Sequence, residues 1–184
     1  MTFDDQEVLE RDDLIEKILI SSEDIQRRLA ELGREISADY QGSTPILVSI
    51  LKGGVVVLAD LMRRLTIPHE IDFMSVSSYQ GGKKTSGEVK ILMDLKQSIT
   101  DRDVILVEDI VDTGLTLNYL TRLLANRQPR SLKLCALLNK ADARLEEVRI
   151  DYLGFDIPNE FVIGYGLDYD EKYRNLPFIG VMRG

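Results

Sequence analysis

The chain has 184 residues, 44% of them hydrophobic, which is close to one domain by length with enough apolar material for a full core. Its net charge of −8 gives no general attraction for nucleic acid or for an anionic membrane surface, so any phosphate site must be built locally from helix N-termini and a few basic side chains. A single cysteine, Cys135, excludes an internal disulfide and a Cys-based zinc site, and its apolar setting makes it a core thiol.

Met1 to Arg11 is acidic and polar, unlike a signal peptide, and no run approaches the ~18 apolar residues of a membrane span, so a cytoplasmic protein is expected. Residues 8–20 hold short apolar stretches that would add a small strand or a lead-in. Ser21 or Ser22 caps a helix carrying Ile25, Leu29, Leu32 and Ile36 on one face. Ile46 to Leu51 is a buried-strand signature, followed by Lys52-Gly53-Gly54 and a helix through Val57, Leu58, Leu61, Met62 and Leu65. Taken alone, Lys-Gly-Gly favours a plain tight turn over a ligand loop.

His69 lies on a connection between Pro68 and Glu70 and is given no catalytic task, which removes a His-dependent triad or a His-metal cluster. Ile71 to Ser77 is a third strand. It leads into Ser78 to Gly87, a polar, glycine-rich, basic segment that reads as a mobile loop, with Val89 to Met93 returning from it.

Val104 to Val107 is a run of aliphatic residues, the pattern of a parallel strand buried on both faces. After it come Glu108, Asp109 and Asp112, then Thr113, Gly114 and Thr116, then a helical period through Leu117, Leu120, Leu123, Leu124 and Ala125. In an open parallel sheet, strand, acids, Gly/Thr turn and helix in that order describe a polar ligand site. The helix N-terminus offers unpaired N–H groups and hydroxyls to an anion, while neighbouring carboxylates accept from two sugar hydroxyls or hold Mg²⁺. A 5-phosphorylated ribose has both ends. Asp112-Thr113-Gly114 is also the aspartic-protease tripeptide, but that motif belongs to a β-rich fold and is followed here by a helix. A solvated strand edge is the other plain alternative. Further on, Leu132 to Leu138 is a buried strand ending at Asn139-Lys140, where a lysine is ordinarily just solvated, and Phe161 reads equally as a core residue.

The thirteen residues Val-Ile-Leu-Val-Glu-Asp-Ile-Val-Asp-Thr-Gly-Leu-Thr, from Val104 to Thr116, resemble the phosphoribosyl-pyrophosphate (PRPP) motif of type I phosphoribosyltransferases, most closely the hypoxanthine-guanine branch. The resemblance covers roughly residues 45 to 178. It implies that Glu108 and Asp109 grip the ribose hydroxyls and that the loop Asp112, Thr113, Gly114, Leu115 and Thr116 holds the 5′-phosphate. Leu115 is Lys in some relatives, so no phosphate contact through its side chain is carried over. It further implies a catalytic Asp112 facing N7 of the base, and Lys52, Gly53 and Arg174 on the pyrophosphate. Ser78 and Tyr79 fall in the active-site flap, and Lys140, Phe161, Val162 and Asp168 on the purine side. The metal set is Glu108, Asp109 and Asp168 with Mg²⁺. Lys140 would donate to the 6-oxo group of the purine and disfavour the 6-amino group of adenine.

The expected architecture is therefore α/β, one domain with a mainly parallel sheet flanked by helices. Its core is about 40–147, with a hood from about 148–178 plus the N-terminal segment, and a flexible hairpin lid. The implied reaction is Mg²⁺-dependent transfer of 5-phosphoribosyl from PRPP to N9 of hypoxanthine or guanine. The implied partners are PRPP and a 6-oxopurine, without nucleic acid or membrane, in a homodimer or homotetramer. Two alternatives stay open: a phosphoribosyltransferase preferring xanthine, and a nucleotide-sensing RNA-binding regulator of the same fold. The second needs a basic face, and no basic run, Lys83-Lys84 included, is longer than two residues.

Overall fold

Strand residues that alternate between two apolar environments set the layers of this molecule. In the computed structural model, which describes residues 5–10, 13–78 and 89–183, β2 (Ile46–Leu51) sends Leu47 to one face and Ile46, Val48 and Ile50 to the other. β5 (Asp103–Val111) divides likewise, Ile105 and Val107 against Val104 and Leu106. Both faces must then be covered by helices. α2 (Ser22–Asp39) and α3 (Val55–Met62) cover the first, and α4 (Leu115–Ala125) covers the second with Leu117, Leu120 and Leu124.

The main sheet has six strands in the order β4-β3-β2-β5-β6-β7, with β3 (Glu70–Ser78), β6 (Ser131–Asn139) and β7 (Tyr152–Asp156) parallel to the two central strands. β4 (Val89–Met93) returns antiparallel to β3 at the edge. α2 begins where Ser21 accepts from the Asp24 N–H at 3.1 Å, an N-cap that supplies one of the helix's missing partners. Its Ile25, Leu29, Leu32 and Ile36 are fully buried, each stabilised by about 1.5–3 kcal/mol relative to exposure.

A second sheet of three strands, β1-β9-β8, joins Ile15–Ile20 to Ile179–Met182 and Val162–Ile163, all antiparallel. A short helix, α1 (Asp5–Glu10), precedes it. The division at 147/148 is corrected on both sides. β7 lies beyond it yet pairs in parallel with β6, Cys135 opposite Tyr152 and Leu138 opposite Phe155, so the main sheet extends to 156. α2, ahead of residue 40, packs on the main sheet, and the small sheet reaches past 178 to Met182. Ser78 ends β3; Tyr79 and residues 80–87, where the lid is expected, lie outside the described residues.

Candidate active site

The strand that carries the acids runs further than its aliphatic run suggests. β2 pairs with β5 only through Val107, but β6 continues alongside, Glu108 opposite Ala136, Ile110 opposite Leu138 and Val111 opposite Asn139. Glu108 and Asp109 are therefore strand residues and not the start of the loop, and as consecutive strand residues they face opposite sides. Glu108 is buried, 7% exposed, and its Oε1 has no hydrogen-bond partner among the described residues. Burial first, and then the neighbouring Asp109 charge, push its carboxyl well above the usual range. Burial also raises Asp109, opposed by the Ile110 N–H, which donates to it at 2.8 Å, and by Arg174, while Asp168 adds to the rise.

The Lys52-Gly53-Gly54 turn after β2 comes up against this acid pair. A Cβ on residue 53 would stand 1.7 Å from Asp109 Oδ2, so only glycine lets the turn pass so close to the carboxylate. On the other side of β5, the loop from Asp112 climbs to α4 through Gly114, whose φ of +83° makes a left-handed N-cap. No side chain caps α4 and no acid stands in its first turn, so its leading N–H groups face a pocket of about 190 Å³. Glu108, Asp112, Thr113, Gly114 and Thr116 line that pocket, while Leu115 points outward, 37% exposed.

Lys140 follows β6, its N–H donating to Val111 O at 3.0 Å. It is 7% exposed, and its ammonium has neither hydrogen bond nor ion pair among the described residues. The ammonium itself is not among the fully buried unpaired polar atoms, so it is open to an acceptor on a ligand. Phe161 is 56% exposed, so it is not a core residue; Tyr169 meets it edge-on, ring centroids 6.0 Å apart at 87°. Val162 is buried in β8, its side chain part of the core shared with α2 and the main sheet, which leaves its main chain for contact with a ligand. Asp168 accepts from Arg174 at 2.8 Å, Arg174 also donates to Gly166 O at 2.8 Å, and Lys52 pairs with Glu171 at 2.8 Å.

The structure thus gathers Lys52, Gly53, Asp109, Asp168 and Arg174 along one line and Glu108 with residues 112–116 along another. It does not assemble Glu108, Asp109 and Asp168 into a cage: among the described residues no group of three or more His, Cys, Asp or Glu is arranged to hold a metal ion. The reason is the strand alternation of the first two and the engagement of the third by Arg174. Gly166, bonded to Arg174, is absent from the residues expected by sequence; the Gly-Tyr-Gly spacing of 164–166 is its signal.

The family model for the phosphoribosyl transferase domain matches residues 19–170. The hypoxanthine-guanine phosphoribosyltransferase of Streptococcus agalactiae is 51% identical over 176 residues, 96% of this chain and 97% of that protein. A crystal structure of the Staphylococcus aureus hypoxanthine phosphoribosyltransferase superposes with a TM-score of 0.90 at 45% identity, covering 96% of this chain and 95% of that one. The bifunctional protein TilS/HprT of Listeria monocytogenes is 50% identical over 169 residues, and the chain spans about a quarter (26%) of that protein's length. No helix among the described residues is long and apolar enough to cross a membrane. With a mainly parallel sheet, an acid pair on its central strand and a pocket at the start of the following helix, the chain belongs to the phosphoribosyltransferase family, in its hypoxanthine-guanine branch.

Proposed function

We propose that this chain transfers the 5-phosphoribosyl group of PRPP to N9 of hypoxanthine or guanine and releases pyrophosphate. The observation that carries this reading is the pairing of hydroxyl acceptors with phosphate donors. The orphaned, buried Glu108 carboxylate shares a pocket with the uncapped α4 N-terminus, which receives an anion, and the glycine-backed Asp109 on the opposite face of the strand is a second acceptor for hydroxyls. Their spacing along one strand and one turn suits a phosphorylated ribose.

In the reaction the C1–oxygen bond to pyrophosphate breaks and the C1–N9 bond forms. Positive charge develops on the ribose ring, where the nearby carboxylates stabilise it. Asp112, exposed at the pocket rim, takes a hydrogen bond or the proton from the purine at N7 as N9 attacks. Lys52, the Gly53 amide and Arg174 hold the leaving group. Lys140 donates to the 6-oxo oxygen, Phe161 stacks on the base, and the main chain of Val162 meets its edge; an adenine amino group in that place would set N–H against N–H.

The donor set fits Mg²⁺. This ion keeps several waters and is held by one or two carboxylates together with substrate phosphates, so a complete protein cage is not needed. Asp109 and Asp168 are the residues that would hold it, with Glu108 reaching the ribose. Bound there, the ion supplies charge neutralisation for the departing pyrophosphate. We further propose that the main sheet forms the PRPP body of one catalytic domain and the small sheet its purine-side hood, acting in the cytoplasm without nucleic acid or membrane. Purified protein with PRPP and hypoxanthine should release pyrophosphate when Mg²⁺ is present and stop when it is chelated. No release with hypoxanthine, guanine or xanthine would refute the assignment.

A further inference from the structure

The hood loop that carries Asp168 and Arg174 is tied to the main body by one buried aromatic side chain. Tyr165 is 3% exposed and stands in the left-handed region at φ +50°, between Gly164 and Gly166. Its hydroxyl donates to Asp60 Oδ2 on α3, and Gln26 on α2 donates both to the Tyr165 hydroxyl and to Asp60 Oδ2, each at 3.1 Å. Arg63 pairs with the other Asp60 oxygen. One tyrosine therefore joins the hood to both helices on that face of the sheet. Its main chain is fixed as well, its N–H donating to Leu176 O at 2.9 Å.

The next residue passes this constraint to the site. Gly166 packs so closely on the Lys52-Gly53 turn that a Cβ there would stand 2.2 Å from Gly53 O. Its N–H donates to Arg174 O at 3.0 Å, and its carbonyl accepts from the Arg174 guanidinium at 2.8 Å. Beneath the loop lies a pocket of about 650 Å³ bordered by Gln26, Val56, Asp60, Tyr165 and Arg174, so close packing does not support the guanidinium from that side. We propose that Tyr165, anchored by Asp60 and Gln26, is a positioning residue for the pyrophosphate side of the reaction, fixing the Gly166 carbonyl that aims Arg174. The inference rests on the reading of Arg174 as a pyrophosphate contact.

The charge states favour the anchor. Burial works to raise the Asp60 carboxyl, but hydrogen bonds from Tyr165, Gln26 and Arg63 outweigh it and hold it below the usual carboxylate range. Burial and the bond to Asp60 keep the Tyr165 hydroxyl protonated. Donor and charged acceptor are thus both in the required form at neutral pH.

The test compares Tyr165→Phe, Asp60→Ala and Asp60→Asn in steady-state kinetics, with thermal unfolding alongside. Tyr165→Phe keeps the ring and removes only the hydroxyl. Misaiming a positioned group typically costs up to about 10²-fold; for this one-step displacement we expect kcat/KM for PRPP to fall roughly 10-fold. KM for pyrophosphate in the reverse direction should rise with it, and KM for hypoxanthine should stay unchanged. Asp60→Ala should behave the same way, and Asp60→Asn, which still offers an oxygen to the tyrosine, should recover most of the loss. A lowered unfolding temperature with both pyrophosphate-side constants unchanged would overturn the proposal, as would an equal rise in KM for hypoxanthine. Arg174→Ala separates the two levels. If it leaves KM for PRPP unchanged, the reading of Arg174 fails; if it raises KM for PRPP while Tyr165→Phe does not, only the inference fails.

Discussion

Two groups of carboxylates border this site, and they are kept in opposite conditions. Glu108, buried, and Asp109, half-buried, are consecutive on the central strand, and desolvation raises both. Asp168 and Glu171, in the hood, are already neutralised by Arg174 and Lys52. On the strand, Glu108 Oε1 has no hydrogen-bond partner among the described residues, while Asp109 has the Ile110 N–H, which does not outweigh its desolvation. The hood pair has its partners and serves to hold two cations in position. Desolvation without compensation costs stability, and a functional site is where such a cost is expected.

The sharpest way to break this contrast is to disturb the contact that buries Asp109. Gly53→Ala sets a methyl into the carboxylate, so the turn or Asp109 must shift. A displacement of about 1 Å in a positioned site costs on the order of 10²-fold, and we expect kcat/KM for PRPP to fall by that much with the fold retained by circular dichroism. Activity within threefold of wild type would mean the turn has no part in positioning the acid.

Asp112 belongs to neither group, being exposed at the start of the α4 loop. General acid–base help is worth about 10²–10⁴ in rate; because Asn keeps the hydrogen bond, Asp112→Asn should slow the single-turnover forward step roughly 10-fold or more and leave PRPP affinity nearly unchanged. An unaltered burst rate would reduce Asp112 to shaping the loop.

Glu108→Gln sharpens the comparison through stability. An acid whose pKa is higher in the folded than in the unfolded chain adds stability below its unfolded value, and that stability is lost as pH rises toward the folded value. Without ligand and with chelator present, the Gln variant should melt above wild type at pH 7.5, and the two should converge as pH falls to about 4. A gap that does not change with pH would mean that Glu108 is not strained by burial. The smallest effect belongs to the hood. Lys52 and Glu171 are 66% and 65% exposed at the side chain, so Glu171→Ala should change kcat/KM by at most a few-fold, and less at high salt. A tenfold loss would show the hood acids to be as consequential as the strand pair.

The residues most legible in the sequence are those whose role is local. Val104 to Val107 is aliphatic throughout and Ile46 to Leu51 is broken only by Ser49 because both faces of those strands are covered, and the acid-Thr-Gly order follows from a helix that begins directly above the sheet. What stayed illegible depends on partners far along the chain. Nothing within Ile15–Ile20 indicates that it pairs with Ile179–Met182, and a two-residue strand such as Val162–Ile163 has no period to detect. Tyr152–Asp156 reads from sequence as part of the hood because only its pairing with β6 distinguishes the two sheets. The extension of β5 through the acids likewise depends on β6 alone. The Tyr165 anchor joins residues 105 and 139 positions apart, a contact no sequence window contains.

The proposed activity rests on recognition of a phosphoribosyl donor together with a 6-oxopurine. Its most direct test is one reaction containing Mg²⁺, PRPP and equal concentrations of hypoxanthine, guanine, xanthine and adenine, with the nucleotide products resolved by chromatography. Inosine or guanosine monophosphate should be the main product, with almost no adenosine monophosphate. Adenosine monophosphate at a comparable rate would contradict it.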